Sequence, residues 1–125
     1  MIKPFIRRPL SWMLLVGLLV LVFALSACGG SSGPAATVHV KENHGSTSAS
    51  DTYYCDPTTL TVNKGDTVTF TNDSDEKQDF DKGDTQKANV DFVIDINQSK
   101  DVTFNNAGTF TITSEKGASI TVKVN

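Results

Sequence analysis

Apolar and polar residues alternate at every second position through most of the region from residue 37 to residue 125. Because successive side chains of a β-strand point to opposite faces, this period predicts strands with one buried face and one wet face. No stretch of the region has the apolar spacing of three to four residues that an amphipathic helix needs, so we expect an all-β domain. The residues predicted to face inward are Val38, Val40, Leu60, Val62, Val68, Phe70, Val102, Phe104, Phe110, Ile112, Ile120, Val122 and Val124.

Turn signals separate these predicted strands. The segments N-K-G-D (63–66), N-N-A-G (105–108) and E-K-G-A (115–118) each supply a glycine that tolerates positive φ between two strands. Residues 43–52 are expected to form a polar loop, and residues 73–89 a charged irregular segment. Seven or eight short strands predict a two-sheet Greek-key sandwich, because a lone sheet of this size could not bury its apolar face.

The N-terminal residues carry the features of an export signal. Lys3, Arg7 and Arg8 precede an apolar run at residues 13–25 that is short for a membrane span. The run closes on L-S-A-C, which resembles the lipobox of bacterial lipoproteins, where cleavage precedes the cysteine and its thiol receives a diacylglyceryl group. An uncleaved anchor would also leave the rest of the chain tethered outside the cytoplasm.

These features predict an extracytoplasmic protein that is lipid-anchored to the bacterial membrane through Cys28. The predicted parts are a lipoprotein-type signal peptide (1–27), the lipidated cysteine with a flexible Gly/Ser linker (28–36) and the folded domain (37–125). Lipidation of Cys28 would leave Cys55 without an intrachain disulfide partner.

Charge narrows the range of partners. The chain after residue 27 carries eight basic and fourteen acidic residues, a net charge of −6. This balance argues against nucleic acid as a partner and against an electrostatic grip on anionic lipid.

The strand sequences resemble those of cupredoxins. The segment "DPTTLTVNKGDTVTFTN" is similar to the paired strands of that fold, and "NNAGTFTIT" is similar to the strand that leads into its metal loop. A blue-copper centre needs two imidazoles and a thiolate, but the resemblance puts the first histidine position near Gln78. The loop at 114–119 holds no His, Cys or Met, and both histidines, His39 and His44, precede the matching part. We therefore do not expect a blue-copper electron carrier.

A finer resemblance concerns the cupredoxin-like domain of the Efe-type periplasmic iron-uptake protein. Cys55 falls on the first cysteine of that family, Asp56 on its acid before proline, and "DFD" at residues 79–81 on its acid-aromatic-acid triplet. The resemblance implies Cys55, Asp79 and Asp81 as candidate ligands for one copper or iron ion, and a metal-uptake permease or related envelope protein as partner. The position of the family's second cysteine is Ser114, which breaks the pattern.

The residues themselves leave alternatives open. Asp79 and Asp81 are expected to point the same way while Phe80 turns into the core, and their carboxylates would either attract a cation or form the wet face of an edge segment. Cys55 is either a ligand or a small buried hydrophobe. Ser114 is either a weak oxygen ligand or an ordinary strand-end hydroxyl.

Two functions follow from these alternatives. The leading hypothesis is a membrane-tethered metal-binding module, and the alternative is a metal-free sandwich that serves as an envelope interaction or spacer module. No histidine in the matching region, no nucleophile elbow and no phosphate-binding glycine loop suggest catalysis, so we do not expect an enzyme.

Overall fold

The computed structural model describes residues 34–125. The predicted signal peptide, the lipidation site Cys28 and most of the predicted linker lie outside the described residues. Between residues 34 and 125 there is no helix that is long and apolar enough to cross a bilayer.

Ten strands, one short helix and one 3-10 turn make up the domain. In chain order they are β1 (Ala36–Asn43), the 3-10 turn (Ser48–Ser50), β2 (Thr52–Asp56), β3 (Thr59–Val62), β4 (Thr67–Asn72), β5 (Gln78–Phe80), β6 (Lys82–Gly83), α1 (Thr85–Ala88), β7 (Phe92–Ile94), β8 (Ser99–Thr103), β9 (Gly108–Thr113) and β10 (Ser119–Val124).

The strands form two four-stranded sheets and a two-stranded ribbon. The first sheet has the order β2-β1-β4-β8, the second has the order β3-β10-β9-β6, and β5 pairs with β7. Within the first sheet β1 is antiparallel to β2 and parallel to β4. Within the second sheet β10 is parallel to β3 and antiparallel to β9. The predicted all-β sandwich is confirmed.

The buried core follows the predicted alternation. Twelve of the thirteen residues predicted to face inward are buried, and Leu60 is partly buried against the same core. The core also contains an aromatic cluster in which the rings of Phe80 and Phe92 stack with centroids 4.8 Å apart. Phe70 packs against both rings, at 5.8 Å from Phe80 and 4.8 Å from Phe92. This cluster ties the ribbon to the first sheet.

The two main sheets together hold eight strands, as predicted, but the prediction of an irregular segment at 73–89 was wrong. The described residues contain ten strands, and the segment itself contributes β5, β6 and α1. The physical reason is that the side chains of Phe80 and Phe92 are fully or almost fully buried, so their short strands pack against the sandwich. Charged residues between them remain on the outside, and their charge hid the strand pattern.

The two ends of the sandwich can be told apart by the direction of β4. At one end the described chain begins, where the Ala35 N–H donates to the Thr67 carbonyl at 2.7 Å. β4 runs from there to Asn72, whose N–H donates to the Gln98 carbonyl at 2.9 Å. Asn72 therefore marks the opposite end, which we call the far end.

Candidate functional site

Four buried polar side chains form one connected network at the far end of the sandwich. The Ser114 hydroxyl donates to Gln78 Oε1 at 2.8 Å, and Gln78 Nε2 donates to Ser74 Oγ at 3.2 Å. Ser74 Oγ in turn donates to Asn72 Oδ1 at 2.7 Å. All four residues are buried, so these hydrogen bonds lie in the interior.

Backbone groups complete the network. Asn72 Nδ2 donates to the Glu76 carbonyl at 2.8 Å and to the Ile94 carbonyl at 3.2 Å. The Ala118 N–H donates to Ser114 Oγ at 3.1 Å. Across residues 34–125 every buried side-chain nitrogen or oxygen has a hydrogen-bond partner. Buried polar groups need hydrogen-bond partners. The side-chain polar atoms of this network all have such partners within the protein, so none is left unpaired for a ligand to bind.

Strand alternation places these side chains inside. Asn72 continues the inward series of Val68 and Phe70 on β4, and Gln78 shares the inward face of β5 with Phe80. Ser114 directly follows β9, where Phe110 and Ile112 point inward. Each of these three polar residues thus continues an inward-facing row of side chains whose other members belong to the apolar core.

The loop between β9 and β10 is held against β5. The Glu115 N–H donates to the Asp79 carbonyl at 2.8 Å, and Lys116 Nζ lies 3.3 Å from Glu76 Oε2. This is the loop that the cupredoxin resemblance equates with the metal loop. The contacts close it over the polar network.

The residues at the family's ligand positions do not fit a blue-copper ion. Blue copper requires imidazole and thiolate donors, whereas Gln78 offers a neutral amide and Ser114 a neutral hydroxyl. Both groups already use their polar atoms in hydrogen bonds to each other and to their neighbours. Ser114 is therefore a buried structural donor, and the sequence-based alternatives of a weak ligand or an ordinary strand-end hydroxyl did not include this role.

Cys55 lies in the core of the sandwich. It is a free cysteine, fully buried, and stands opposite Val40 in the register of β1 and β2. Burial raises the pKa of its thiol to about 12. Since the thiolate is the form that binds metals, this environment disfavours ligation. Of the two roles left open for Cys55, the structure supports the small buried hydrophobe.

The carboxylates of the predicted triplet lie on the outside of the ribbon. Asp79 is half-buried and Asp81 is exposed, whereas Phe80 between them is fully buried, as predicted. Among residues 34–125 no group of three or more His, Cys, Asp or Glu side chains is arranged to hold a metal ion. The described chain therefore does not gather Cys55, Asp79 and Asp81 into one site, and their assignment as ligands stays a prediction.

The remaining candidate groups are engaged in surface pairs. His39 Nδ1 lies 2.6 Å from Asp73 Oδ2, and His44 Nε2 lies 3.0 Å from Glu42 Oε1. Lys41 Nζ lies 2.7 Å from the Asp56 carboxylate, and its hydrogen bond lowers the pKa of Asp56. The acid of the Cys-Asp-Pro motif is thus directed to the surface, away from the buried thiol beside it.

The sequence identified the positions of Gln78 and Ser114 but missed their contact. A local signal for burial existed at Gln78, because it is two residues before Phe80 and therefore on the same face of an extended segment. No local signal joins it to Ser114, which is 36 residues further along the chain.

Solved structures similar to this chain are cupredoxins. A purple cupredoxin from Nitrosopumilus maritimus matches with a TM-score of 0.52 and 17% identity, over 72% of this chain and 99% of that chain. An oxidized amicyanin mutant matches with a TM-score of 0.53 and 19% identity, over 79% and 89% of the two chains. An amicyanin mutant in the Cu(I) form matches with a TM-score of 0.50 and 20% identity, over 73% and 82%.

These similarities show a cupredoxin-like fold. At such identities they concern the fold alone, and they do not single out the Efe-type domain. No protein-family model matches the chain, and a search of curated proteins finds no match.

Proposed function

We propose that this protein is a membrane-tethered, extracytoplasmic cupredoxin-like module that works without a metal ion and serves as an interaction or spacer domain of the bacterial envelope. In this proposal the lipid on Cys28 supplies the tether, and the domain has no catalytic role. The partner is another envelope protein, and the net charge of −6 after residue 27 argues against nucleic acid.

The hydrogen bond between Ser114 and Gln78 carries the proposal. The cupredoxin resemblance puts the first copper-binding histidine near Gln78, and the Efe-type resemblance puts its second cysteine at Ser114. Instead of converging on an open centre, the two side chains bond to each other at 2.8 Å in the interior. A buried and satisfied polar network rigidifies a fold, which supports a structural role for Gln78 and Ser114.

Metal binding is the competing function. It keeps Cys55, Asp79 and Asp81 as the predicted ligands of one copper or iron ion, and a metal-uptake permease as the predicted partner. The acidic residues around the triplet favour it, because they raise the local concentration of cations. The buried thiol at Cys55 opposes it, since a metal would first have to reach the sulfur and remove its proton.

A metal titration separates the two functions. All ten strands and the whole buried core lie within residues 36–124, so a soluble fragment of residues 34–125 contains the complete sandwich. Cu(I), Cu(II), Fe(II) and Zn(II) are titrated into this fragment, into Cys55→Ser and into the double variant Asp79→Asn/Asp81→Asn. The proposal expects equally weak binding by all three proteins and a melting temperature that exhaustive chelation does not change.

The opposite outcome is equally specific. A dissociation constant below about 1 μM for any of these ions, lost in Cys55→Ser or in the aspartate variant, would overturn the metal-free proposal in favour of metal binding. A fall in the melting temperature on chelation would do the same, because a ligand that binds only the folded state stabilises it.

A further inference from the structure

The outward face of the β5–β7 ribbon is a surface that neither main sheet covers. Gln78, Phe80, Phe92 and Ile94 form its buried inward face. On the outward face Asp79 stands opposite Val93 in the register of the two strands. We call this outward face, together with the residues that directly flank the two strands, the ribbon face.

One exposed apolar side chain lies on the ribbon face and a second follows it closely in the chain. Val93 is 44% exposed and Ile96 is 46% exposed, and they are the large hydrophobic residues that the structure leaves exposed within the described part of the chain. Val93 lies in β7 and Ile96 lies two residues after its end. Val93 lies on the ribbon face and Ile96 in the turn that follows β7, so this exposed segment of the chain offers a partner apolar contacts.

Carboxylates surround this apolar contact. Alternation along β7 directs Asp91 and Asp95 to the same side as Val93, and all three are exposed. On the neighbouring strand Asp79 and the flanking Asp81 face the same way. Within residues 34–125 none of these four aspartates forms an ion pair. Lys77, just before β5, and Lys82, just after Asp81, are adjacent basic residues, so four carboxylates against two ammonium groups leave the ribbon face with a negative excess.

A cavity adjoins the ribbon face. It has a volume of about 430 Å³ and lies between α1 and the start of β7. Its lining consists of Thr85, Gln86, Asn89, Val90 and Asp91. Asp91 belongs to both the cavity and the ribbon face, so a long side chain that enters the cavity meets a carboxylate. Hydroxyl, amide and carboxylate groups in the lining suit a side chain that donates several hydrogen bonds.

We propose that the ribbon face and its cavity dock a basic segment of another envelope protein, in which arginine or lysine alternates with apolar residues. The apolar residues of the partner contact Val93 and Ile96, its basic residues face the four aspartates, and one arginine or lysine enters the cavity beside Asp91. Protein interfaces typically have an apolar centre and a polar rim, and arginine is enriched among their buried residues. This inference rests on the proposed role as an interaction module and specifies its surface.

Charge decides between this partner and the other occupants. A second copy of this chain would present the same aspartates, and like charges that face each other across an interface weaken binding. Anionic lipid headgroups and nucleic acids are repelled for the same reason. The Gln78–Ile94 end of the ribbon lies at the far end of the sandwich, where Asn72 Nδ2 donates to the Ile94 carbonyl at 3.2 Å.

Binding of a defined peptide tests the proposal. The probe is a fluorescein-labelled fourteen-residue peptide of alternating arginine and leucine, and its binding to the fragment 34–125 is followed by fluorescence anisotropy. Excess EDTA is present, and NaCl is set to 50 mM and then 300 mM. The test variant is Asp79→Asn/Asp91→Asn/Asp95→Asn. The matched control is Asp56→Asn/Asp66→Asn/Asp101→Asn, which removes the same charge elsewhere. Circular dichroism confirms that both triple variants are folded.

The expected result is a loss confined to the ribbon variant. At 50 mM NaCl we expect the ribbon variant to bind at least about eightfold more weakly, because each of the three removed carboxylates contributes about two- to fivefold, and the control to change by less than about threefold. Val93→Ser should weaken binding about threefold or more even at 300 mM NaCl, where screening has reduced the charge contribution.

Equal losses in the two triple variants would overturn the proposal, because they would reveal attraction to the net charge alone. Failure of the peptide to bind the unmodified fragment would also overturn it. Since EDTA removes free metal ions, neither result depends on the metal titration. A metal-free result in that titration would stand whatever the peptide does, so failure of this surface and failure of the proposed function are distinguishable.

Discussion

Ser114 and Gln78, 36 residues apart in the chain, meet inside the sandwich through a hydrogen bond of 2.8 Å. The bond links the loop after β9 to β5. Through it the second sheet joins the buried polar network at the far end. Because both groups are buried, neither can exchange its partner for water. Removing one partner therefore leaves the other unsatisfied in the interior.

Ser114→Ala is expected to reduce the free energy of unfolding by about 2 to 6 kcal/mol. The change leaves two buried groups without this partner, Gln78 Oε1 and the Ala118 N–H, and each unsatisfied buried group costs about 1 to 3 kcal/mol. Urea unfolding of the fragment 34–125 measures the loss.

Ser99→Ala is the matched control for this change. Ser99 is exposed and its hydroxyl pairs with Thr71 at the surface, so a loss within about 0.5 kcal/mol is expected. The double variant Gln78→Met/Ser114→Ala should lose less than the sum of its single changes, because it removes both partners together. Strict additivity would contradict a direct buried hydrogen bond.

Phe80→Ala is expected to destabilise the domain by about 3 to 5 kcal/mol. The change opens a cavity in the aromatic cluster, where Phe80 stacks on Phe92 and contacts Phe70. This loss is a large part of the 5 to 15 kcal/mol that a whole domain commonly has. Phe80→Leu, which keeps most of the volume, should lose about 1 kcal/mol. A loss of less than about 1 kcal/mol in Phe80→Ala, measured by urea unfolding, would mean that packing of the ring is unimportant.

Gly83→Ala is expected to be more destabilising than Gly65→Ala. Both glycines have positive φ, 76° and 91° respectively, which strains alanine by about 1 kcal/mol. At Gly83 a Cβ atom would also overlap the Thr111 carbonyl oxygen, whereas at Gly65 there is open space. With an overlap penalty of about 1 to 3 kcal/mol, we expect a total of about 2 to 4 kcal/mol at Gly83. Thermal unfolding of the two variants gives the comparison, and equal losses would refute it.

Stability is expected to fall at alkaline pH because of Cys55. Its pKa is raised to about 12 in the folded protein, whereas an ordinary thiol titrates near 8.5. A raised folded pKa leaves stability intact below the unfolded pKa and removes it as the pH rises toward the folded pKa. Between about pH 9 and pH 12 this one group should lower the free energy of unfolding by up to about 1.4 kcal/mol per pH unit.

Comparison with Cys55→Ala isolates the contribution of the thiol. Every other ionisable group is present in both proteins, so only the difference between their pH profiles reports on Cys55. The native thiol should also resist iodoacetamide at pH 8 and react fully in urea. Rapid alkylation of the native protein, or identical pH profiles, would show that the thiol is accessible.

The alternation of side chains was sufficient to predict most of the sandwich. Val38, Val40, Phe110 and Ile112 reveal their strands because an apolar residue recurs at every second position. The ribbon could not be predicted in this way, since its inward row begins with Gln78, a polar residue. A buried glutamine is stable only with its hydrogen-bond partners, and those come from distant parts of the chain.

The candidate site was harder to predict than the fold. Within β2, alternation puts Cys55 on the same face as Tyr53, which packs against the core, and opposite to Asp56. This pattern favours burial of the thiol, but it does not reveal what lies across the interior. Whether Asp79 and Asp81 reach the sulfur depends on how the ribbon docks, and the aromatic contacts of Phe80 determine that docking.

The position of β10 affects the order in which the domain is completed. β10 is the last strand of the domain in the chain, yet it lies between β3 and β9 in its sheet. During synthesis β3 has no neighbour to pair with until the final strand arrives, so the second sheet closes in one late event. Loss of only the last few residues of the domain would uncouple β3 from β9, and the damage would extend across half of the sandwich.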